Sequence, residues 1–405
     1  MTRPTSTTPY VIGVGMTPFE RIGTNPQTYP AMVGRALDEA LADAGLTYAD
    51  IDRAAVGHVF QPSAAGQRAL YDAGITGIGI VNVTNNCATG ATALHLAQEW
   101  VRCGVARIAV AVGFEQMTKE AMAGPATPPR VTTIDPHLAV VAAGPDVGSG
   151  PAQTRIFAQA ALEHIAYYGS TIEEIAAVAV KNHEHSTRNP LAQFQRPFSL
   201  DEVLADKQVA GPLTRSQCSP MSDGASVVIV ASADVVRERG LGATAVPLLA
   251  QELVSDTADA FEGTSPLKAI HAVGVRMTER AAATALSRAG LRIGDVDVAE
   301  VHDCFSISEV LVTEALGLCG PGEGAALVAS GATTYGGACV INPSGGLIAK
   351  GHPLGATGLA QVSELVWQLR GTAGGRQVAG AEVALAQNLG LGGACSVTVL
   401  GPPGA

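Results

Sequence analysis

Arg280 to Phe305 reads RAAATALSRAGLRIGDVDVAEVHDCF, and 245 residues earlier Arg35 to Phe60 reads RALDEALADAGLTYADIDRAAVGHVF. Aligned without a gap, the two stretches share twelve identical residues. Each has the pattern of an amphipathic helix, a glycine stop, a short loop and a strand. The chain is therefore predicted to contain one α/β unit twice, as two similar halves.

The two copies differ chemically where their strands end. Gly57-His58-Val59 in the first copy becomes His302-Asp303-Cys304 in the second. A scaffold that is repeated for packing but carries reactive groups in one copy favours an active site built between the two halves.

The domain organisation follows from the pattern around this duplication. Alternating strands and helices predict mixed or parallel sheets covered by helices. The regularity fades from residue 121 to residue 215, a stretch rich in Pro, His and charge, which is predicted to be an insertion or cap on the first half. The predicted first half comprises residues 1–120 and 216–265, and the second half comprises residues 266–405.

Composition excludes several classes of function. The formal net charge of −11 argues against broad binding to nucleic acid or to membrane surfaces, although a local basic patch could still bind an anionic cofactor. No apolar run approaches the roughly 18 residues of a membrane span, and the first residues, MTRPTSTTPYVIG, lack the apolar core of a signal peptide. Seven cysteines without a Cys-x-x-Cys pair favour reduced thiols rather than zinc ligands or disulfides. We therefore expect a cytoplasmic protein without a metal.

Cys87 lies between the end of a predicted strand and the start of a predicted helix, in Asn85-Asn86-Cys87-Ala88-Thr89-Gly90. Free amides and the helix dipole at such a position favour the thiolate, which is the nucleophilic form. A small, buried and inert cysteine would give the same pattern. Both interpretations are open from this motif alone.

His352 lies in the glycine-rich segment from Asn342 to Gly358, immediately before Pro353. Glycines in such a turn allow the backbone to approach a ligand closely, and the neighbours of the imidazole are compatible with a general base. A structural histidine is the alternative. The glycine spacing matches neither a phosphate-binding loop nor a dinucleotide fingerprint.

Two further motifs carry weaker signals. His302 and Cys304 end the duplicated strand and could exchange protons with carbon or sulfur, or be a hydrogen-bonded histidine beside a buried thiol. The turn from Asn388 to Gly393 contains Gly390, whose backbone amide could form part of an oxyanion hole, although tight turns between strands look the same.

Together these four motifs resemble the thiolase superfamily, and within it most closely the sterol-carrier-protein type thiolases. The resemblance spans essentially the whole chain, including residues 181–186 and 222–225. It implies a five-layer αβαβα sandwich of two duplicated halves with an inserted loop domain. It also implies coenzyme A as a co-substrate, an acyl-CoA as substrate and a homodimer or homotetramer.

The resemblance assigns roles to individual residues. Cys87 matches the nucleophile, His352 the base that activates it, and Cys304 the cysteine that acts as acid and base. His302 stands where ordinary thiolases have an asparagine that holds an oxyanion-hole water, and the amides of Cys87 and Gly390 match the other oxyanion hole. Ordinary thiolases place the second cysteine in a C-terminal Cys-x-Gly turn, which here reads Asn388-Leu389-Gly390.

Coenzyme A contacts are predicted in two places. Ser219 falls near the pantetheine contact of the family, and the most basic stretch of the insertion offers Lys181, Arg188 and Arg196 for the phosphates. A solvated helix end is the alternative for this basic stretch.

The function implied by the resemblance is a 3-oxoacyl-CoA thiolase for branched or sterol-derived chains. Two alternatives stay open: a biosynthetic acyltransferase of the same fold in a multi-subunit complex, and a steroid side-chain aldolase that acts with a small accessory subunit. The aldolases lack the full set of two cysteines and a histidine, so Cys87 and His352 argue against that class.

Overall fold

The computed structural model of the chain describes residues 7–118, 131–262 and 264–404. Its strands are β1 (Tyr10–Met16), β2 (Glu20–Arg21), β3 (Arg53–Gly57), β4 (Gly79–Val83), β5 (Ile108–Glu115), β6 (Gln208–Ala210), β7 (Leu213–Thr214), β8 (Ser222–Ala231), β9 (Val246–Val254), β10 (Val298–Glu300), β11 (Val340–Ile341), β12 (Ala384–Gly390) and β13 (Ala394–Leu400). Its α-helices are α1 (Tyr29–Ala44), α2 (Ala65–Tyr71), α3 (Thr89–Arg102), α4 (Asp135–Ala143), α5 (Ala152–Tyr168), α6 (Ile172–Ser186), α7 (Leu200–Ala205), α8 (Ala233–Glu238), α9 (Lys268–Ala272), α10 (Val275–Ala289), α11 (Ser306–Ala315), α12 (Gly324–Ala329), α13 (Gly346–Lys350) and α14 (Leu354–Arg370).

The strand order shows the duplication directly. Within the described residues the first half has the order β1-β8-β5-β3-β4, and the second half has the order β9-β13-β12-β10-β11. In both halves the two pairs nearest the centre are antiparallel and the two outer pairs are parallel. The halves join through a short antiparallel pairing of β1 with β9. The prediction of two similar α/β halves is confirmed.

The helices complete five layers. Helices α3 and α14 pack on each other between the two half-sheets, and their apolar side chains, such as Leu94 and Leu359, share one core with both. Helices α1 and α2 cover the outer face of the first half, and α10 and α11 cover that of the second. No helix among the described residues is both long enough and apolar enough to cross a membrane.

The predicted insertion contributes α4 to α7 and the small two-stranded sheet of β6 and β7. Its residues 121–130 lie outside the described residues. Helix α6 packs on α11, α12 and α13, and α5 packs on α9 and α11, so this segment covers helices of the second half. The expectation of a cap on the first half is therefore wrong in placement, because the apolar faces of α5 and α6 join the core of the second half.

The open edge of the first half is β4. The apolar strand from Arg107 to Gly113 is expected from the sequence to offer a free sheet edge for dimer formation. That expectation is wrong, because β5 is paired on both sides, with β3 and β8. β4 pairs only with β3 among the described strands, and Val81 on it is 40% exposed. Any pairing of two copies through a sheet edge of the first half would therefore use β4 and not β5.

Candidate active site

Cys87 is held in a turn between β4 and α3. The preceding residue, Asn86, has a φ of 48°, and its side-chain amide donates a 2.6 Å hydrogen bond to the carbonyl of Leu391 in the second half. Thr89 accepts a 2.7 Å hydrogen bond from the amide of Asn85, which closes the turn. The thiol is half-buried and lies just before the first turn of α3, as the sequence predicts.

His352 occupies the corresponding point of the second half, just before α14. Its backbone amide donates a 3.0 Å hydrogen bond to Ser222 Oγ, and its Nδ1 lies 2.7 Å from Thr357 Oγ1. Its Nε2 is buried and makes no hydrogen bond with any described residue. That nitrogen is therefore available as a proton acceptor.

Close contact between α3 and α14 brings the two turns together. A Cβ atom on Gly90 would lie 2.7 Å from the carbonyl oxygen of Gly355, and one on Gly358 would lie 2.5 Å from the amide of Ala91. Backbone atoms cannot move aside as a flexible side chain can, so only glycine permits this approach. The glycines after Cys87 and His352 thus set the spacing of the site.

The reactive groups converge as the sequence predicts. One polar atom each of Cys87, His302 and His352 lie within 4.8 Å of one another, and the two imidazole rings are 5.3 Å apart in an edge-to-face arrangement. Cys304 lies two residues after His302 and is buried. It is near enough to Cys87 that negative charge on the Cys87 sulfur raises the pKa of Cys304. Its Sγ is 3.5 Å from Ser308 Oγ.

Burial sets the protonation states at rest. Burial, with a contribution from the Glu115 carboxylate, raises the pKa of Cys87 to about 12. Burial, with the nearby Lys350 ammonium, lowers the pKa of His352 to about 3. The resting pair at neutral pH is a thiol and a neutral imidazole. The helix start alone does not yield a thiolate, because desolvation outweighs the exposed amides of α3, so an activating base is needed.

The same trio must be considered as a metal site, because thiolate and imidazole are ligands that zinc accepts. Asn388 donates to Nδ1 of His302 at 3.1 Å, which engages the lone pair of Nδ1 and places the ring hydrogen on Nε2. Neither nitrogen of His302 then offers a lone pair to a metal. The donor set suits proton transfer better than metal binding.

Gly390 packs directly on the Cys87 turn. A Cβ atom there would lie 2.1 Å from the carbonyl oxygen of Asn85 and 3.1 Å from the amide of Ala88. The end of β12, from Asn388 to Gly390, is thereby fixed against the Cys87 turn, so the predicted turn from Asn388 to Gly393 begins only at Leu391. Gly390 is in a position compatible with the predicted second oxyanion hole.

A cavity of about 1150 Å³ lies beside these groups, and three of its lining residues contact them or their chain neighbours through the backbone. Met221 forms an isolated β-bridge with His352, Cys218 forms one with Phe305, and the amide of Ser219 donates to the carbonyl of Cys304 at 2.9 Å. The remaining residues that line it are Pro18, Phe19, Glu20, Arg21, Ile22, Thr24, His183, Pro190, Ala192, Gln193, Phe194, Gln195, Phe198, Asp206, Arg215, Ser216, Pro220 and Ile348.

The predicted coenzyme A contacts separate into two groups. Ser219 lines the cavity, and Arg196 reaches its rim by stacking 4.1 Å over the ring of Phe198. Arg188 instead stacks 4.2 Å over Tyr335, which does not line the cavity. Lys181 is buried, paired with Glu309, and donates to the carbonyl of Ile341 at 3.2 Å. The prediction for Lys181 is therefore wrong, since its ammonium is committed inside the protein.

Three contributing residues are not identified from the sequence. Arg21 and Arg215 are the arginines that line the cavity, but they lie far apart in sequence and in no basic cluster. Glu115 is fully buried and accepts hydrogen bonds from the amides of Phe60 at 2.9 Å and of Gly355 at 3.1 Å, which links the two halves beside Cys87. A single acid at the end of an otherwise apolar strand is the signal that could have revealed it.

Two sequence models of one protein family match the chain. The model described as "Thiolase, N-terminal domain" matches residues 9–234, and the one described as "Thiolase C-terminal domain-like" matches residues 264–401. The chain therefore belongs to the thiolase family and is an acyltransferase of that family. The resemblance stated from the motifs is confirmed.

Relatives with assigned names agree with this membership. The chain is 50% identical over 392 residues to sterol carrier protein 2 of Homo sapiens, an alignment that covers 96% of this chain and 71% of that protein. It is 37% identical over 398 residues to an acetyl-CoA acetyltransferase of Methanothermobacter thermautotrophicus, which covers 96% and 98% of the two chains.

Solved structures share the fold at lower sequence identity. An Ltp2-ChsH2(DUF35) aldolase superposes with a TM-score of 0.81 at 21% identity, covering 98% of each chain. Human mitochondrial 3-ketoacyl-CoA thiolase in complex with CoA superposes with a TM-score of 0.67 at 18% identity, covering 97% of this chain and 98% of that one. Both likenesses bear on the fold alone.

Proposed function

We propose that the chain is a 3-oxoacyl-CoA thiolase that cleaves branched or sterol-derived acyl chains by CoA-dependent thiolysis. The observation that carries the proposal is that Cys87 and His352 converge, with Cys304 close to Cys87, beside residues that line a large cavity. A nucleophile, a base and a second thiol are the groups that a two-step acyl transfer needs. The name of the human relative, sterol carrier protein 2, supports the class of acyl chain.

In the first step, Cys87 Sγ attacks the keto carbon of the 3-oxoacyl-CoA, and the thiol proton passes to Nε2 of His352. The oxygen of that carbon takes up negative charge, which backbone amides of Cys87 and Gly390 are placed to stabilise. The bond between C2 and C3 then breaks, and its electron pair leaves with the fragment that still carries CoA, as the enolate of acetyl-CoA or, from a 2-methyl-branched substrate, of propionyl-CoA. Cys304 gives this enolate a proton, which leaves an acyl group on Cys87.

In the second step, Cys304 takes the proton of the incoming CoA thiol. The CoA sulfur attacks the acyl carbon, the bond to Cys87 breaks, and His352 returns a proton to Cys87. Two thiols are needed because one carries the acyl group while the other moves a proton. His302 donates a hydrogen bond to the developing enolate oxygen.

The test is a panel of 3-oxoacyl-CoAs with straight, 2-methyl-branched and steroid side-chain acyl groups, assayed with and without CoA. We expect loss of 3-oxoacyl-CoA absorbance only when CoA is present, with kcat/KM highest for the branched or steroid substrates. Equal rates across the panel would refute the proposed chain class. No CoA-dependent cleavage of any member would refute thiolysis itself.

One alternative left open by the sequence is an aldolase, a class that includes a solved structure of the same fold. An aldolase would cleave a 3-hydroxyacyl-CoA without CoA and without an acyl-cysteine. The assay therefore includes a 3-hydroxyacyl-CoA arm, with an accessory subunit added in parallel. A biosynthetic acyltransferase would show net condensation in the reverse assay. The predicted domain boundaries and cytoplasmic location stay predictions.

We infer that CoA binds in the cavity with its phosphates near Arg21, which makes no ion pair with any described residue. Arg215 also lines the cavity but is paired at 2.8 Å with Asp206, so its charge is partly neutralised. Arg21→Gln is expected to raise the KM for CoA roughly fivefold, the scale of an exposed ion pair of ~1 kcal/mol, with kcat little changed. Added salt should reduce this difference. The measurement is initial-rate kinetics at two ionic strengths.

The matched control is Arg188→Gln, because Arg188 stacks on Tyr335 outside the cavity. Arg196→Gln, at the rim, is expected to give an intermediate effect. A raised KM for Arg188→Gln together with an unchanged KM for Arg21→Gln would place the phosphates on the original basic stretch instead.

We propose that the protein is a homodimer or larger and that two copies meet along β4. This edge strand carries exposed Val81, and Ile75, at 79% exposed, lies in the loop before it. Unpaired apolar edges promote association. Val81→Lys is expected to shift the protein toward monomer in sedimentation, while Val105→Lys, at an exposed valine after α3, leaves assembly unchanged. An active wild-type monomer of 41.1 kDa at micromolar concentration would contradict the proposal.

A further inference from the structure

The two histidines of the site are each held by one nitrogen, and the partners differ in kind. Nδ1 of His352 faces a hydroxyl, that of Thr357, at 2.7 Å. Nδ1 of His302 faces an amide nitrogen, that of Asn388, at 3.1 Å. In a neutral imidazole the partner of one nitrogen decides which nitrogen carries the hydrogen.

The partners of Thr357 favour a hydrogen on Nδ1 of His352. The hydroxyl Oγ1 lies 2.9 Å from the carbonyl oxygen of Pro353, to which it can donate, although that oxygen also accepts from the amides of Ala356 and Thr357. When the hydroxyl donates there it can only accept from the ring, and the hydrogen shared with His352 is then on Nδ1. Nε2 is then left with a free lone pair, buried and without a partner among the described residues.

Asn388 imposes the opposite arrangement on His302. With the amide nitrogen of Asn388 facing the ring, Nδ1 of His302 accepts and the ring hydrogen lies on Nε2, while Oδ1 of Asn388 is buried without a hydrogen-bond partner among the described residues. His302 is almost completely buried, so no water shell competes for this choice. His302 therefore presents a hydrogen-bond donor where His352 presents an acceptor.

We propose that Thr357 and Asn388 are positioning residues that hold His352 and His302 in opposite tautomers, one ready to take a proton and the other ready to donate a hydrogen bond. The effect of these tautomers on catalysis rests on the proposed function. The tautomers themselves are properties of the protein without substrate.

Reversing the tautomer of His352 would deprive Cys87 of its proton acceptor. If the hydroxyl of Thr357 is removed, Nδ1–H of His352 loses its acceptor in a buried setting, and the hydrogen is better placed on Nε2. His352 then meets the Cys87 thiol with a hydrogen instead of a lone pair. The pair loses its base although both side chains are still present.

The direct experiment is nitrogen NMR of the wild-type protein labelled with ¹⁵N-histidine. Signals are assigned with His302→Gln and His352→Gln, and no substrate is added. We expect hydrogen on Nδ1 of His352 and on Nε2 of His302. The same tautomer on both rings would overturn the proposal, and this measurement does not depend on any variant at Thr357 folding correctly.

The functional experiment compares Thr357→Val with Thr357→Ser. Thr357→Val is expected to lower the rate of Cys87 alkylation by iodoacetamide at neutral pH, and kcat/KM, by about a hundredfold, the scale of a lost general base. Thr357→Ser, which keeps the acceptor, should recover both to within about threefold, since the hydroxyl that orients the base is retained.

Asn388→Asp tests the second half of the proposal, because a carboxylate accepts from Nδ1–H and would reverse the tautomer of His302. Its expected result is hydrogen on Nδ1 of His302, a lower kcat and unchanged alkylation of Cys87. If Cys87 of Thr357→Val is alkylated at the wild-type rate, the proposed role of Thr357 is overturned. If the tautomer of His302 is unchanged in Asn388→Asp, the proposed role of Asn388 is overturned. Alkylation and NMR need no acyl-CoA, so a failed substrate panel would leave these results interpretable.

Discussion

Replacing Cys87 with alanine is expected to lower turnover on the order of 10⁴-fold or more, since nucleophile and base act as one unit and the remaining groups cannot form the acyl-enzyme. Wild-type protein incubated with acyl-CoA should carry the acyl mass on the Cys87 peptide, as read by peptide mass mapping. Cys103→Ala is the matched control, because Cys103 is an exposed thiol after α3. It should retain full turnover.

The outcome that would contradict this assignment is equally clear. An acyl adduct found only on Cys304, or an active wild-type enzyme with no adduct, would mean that Cys87 is not the nucleophile.

Replacing Cys304 with alanine is expected to lower turnover roughly a hundredfold or more, the usual scale for a missing acid or base. Acylation of Cys87 should continue slowly, because Cys304 donates its proton only when the enolate leaves. A rapid-quench measurement of acyl-enzyme beside steady-state kcat separates the two effects.

Cys395→Ala is the control for a second buried thiol. Its Sγ lies 3.6 Å from Thr278 Oγ1 and 3.7 Å from Gln387 Nε2, so it faces α10 and the adjacent strand rather than the reactive trio. Near-normal turnover in Cys304→Ala would show that another group moves the proton. Cys218, which lines the cavity, would then be the residue to examine.

The sequence predicts the fold well because the duplication constrains it twice. The twelve shared residues include the glycine stop of each helix, and both copies fold as a helix, α1 or α10, that leads into a strand, β3 or β10. β9 gives a weaker signal because Pro247 lacks the amide hydrogen that a central strand usually uses. β11 is only two residues long, too short for a period to be read.

The sequence predicts the reactive residues of the candidate site but not the residues that contact CoA. Cys87, His352, His302 and Cys304 lie in dense motifs, and the structure brings them together. The charge partners of CoA could not be derived, since Lys181 has the right chemistry for a phosphate but is paired with Glu309 in the interior. The burial of Lys181 depends on packing between residues far apart in the chain, which a local cluster of basic residues does not indicate.

The protonation state of Cys87 also depends on the tertiary structure. Its position before α3 correctly suggests a favourable dipole, but desolvation by the second half opposes it. The tautomers of the two histidines likewise depend on Thr357 and Asn388, whose hydrogen bonds become visible only when the rings are placed.

The nucleophile and its base occupy equivalent points at the starts of the two central helices, α3 and α14, and this has a consequence for synthesis of the chain. His352 leaves the ribosome 265 residues after Cys87. A nascent chain that has not yet reached His352 therefore holds Cys87 without its proposed proton acceptor. The proposed pair can form only after residues of both halves have been synthesised and have folded against each other.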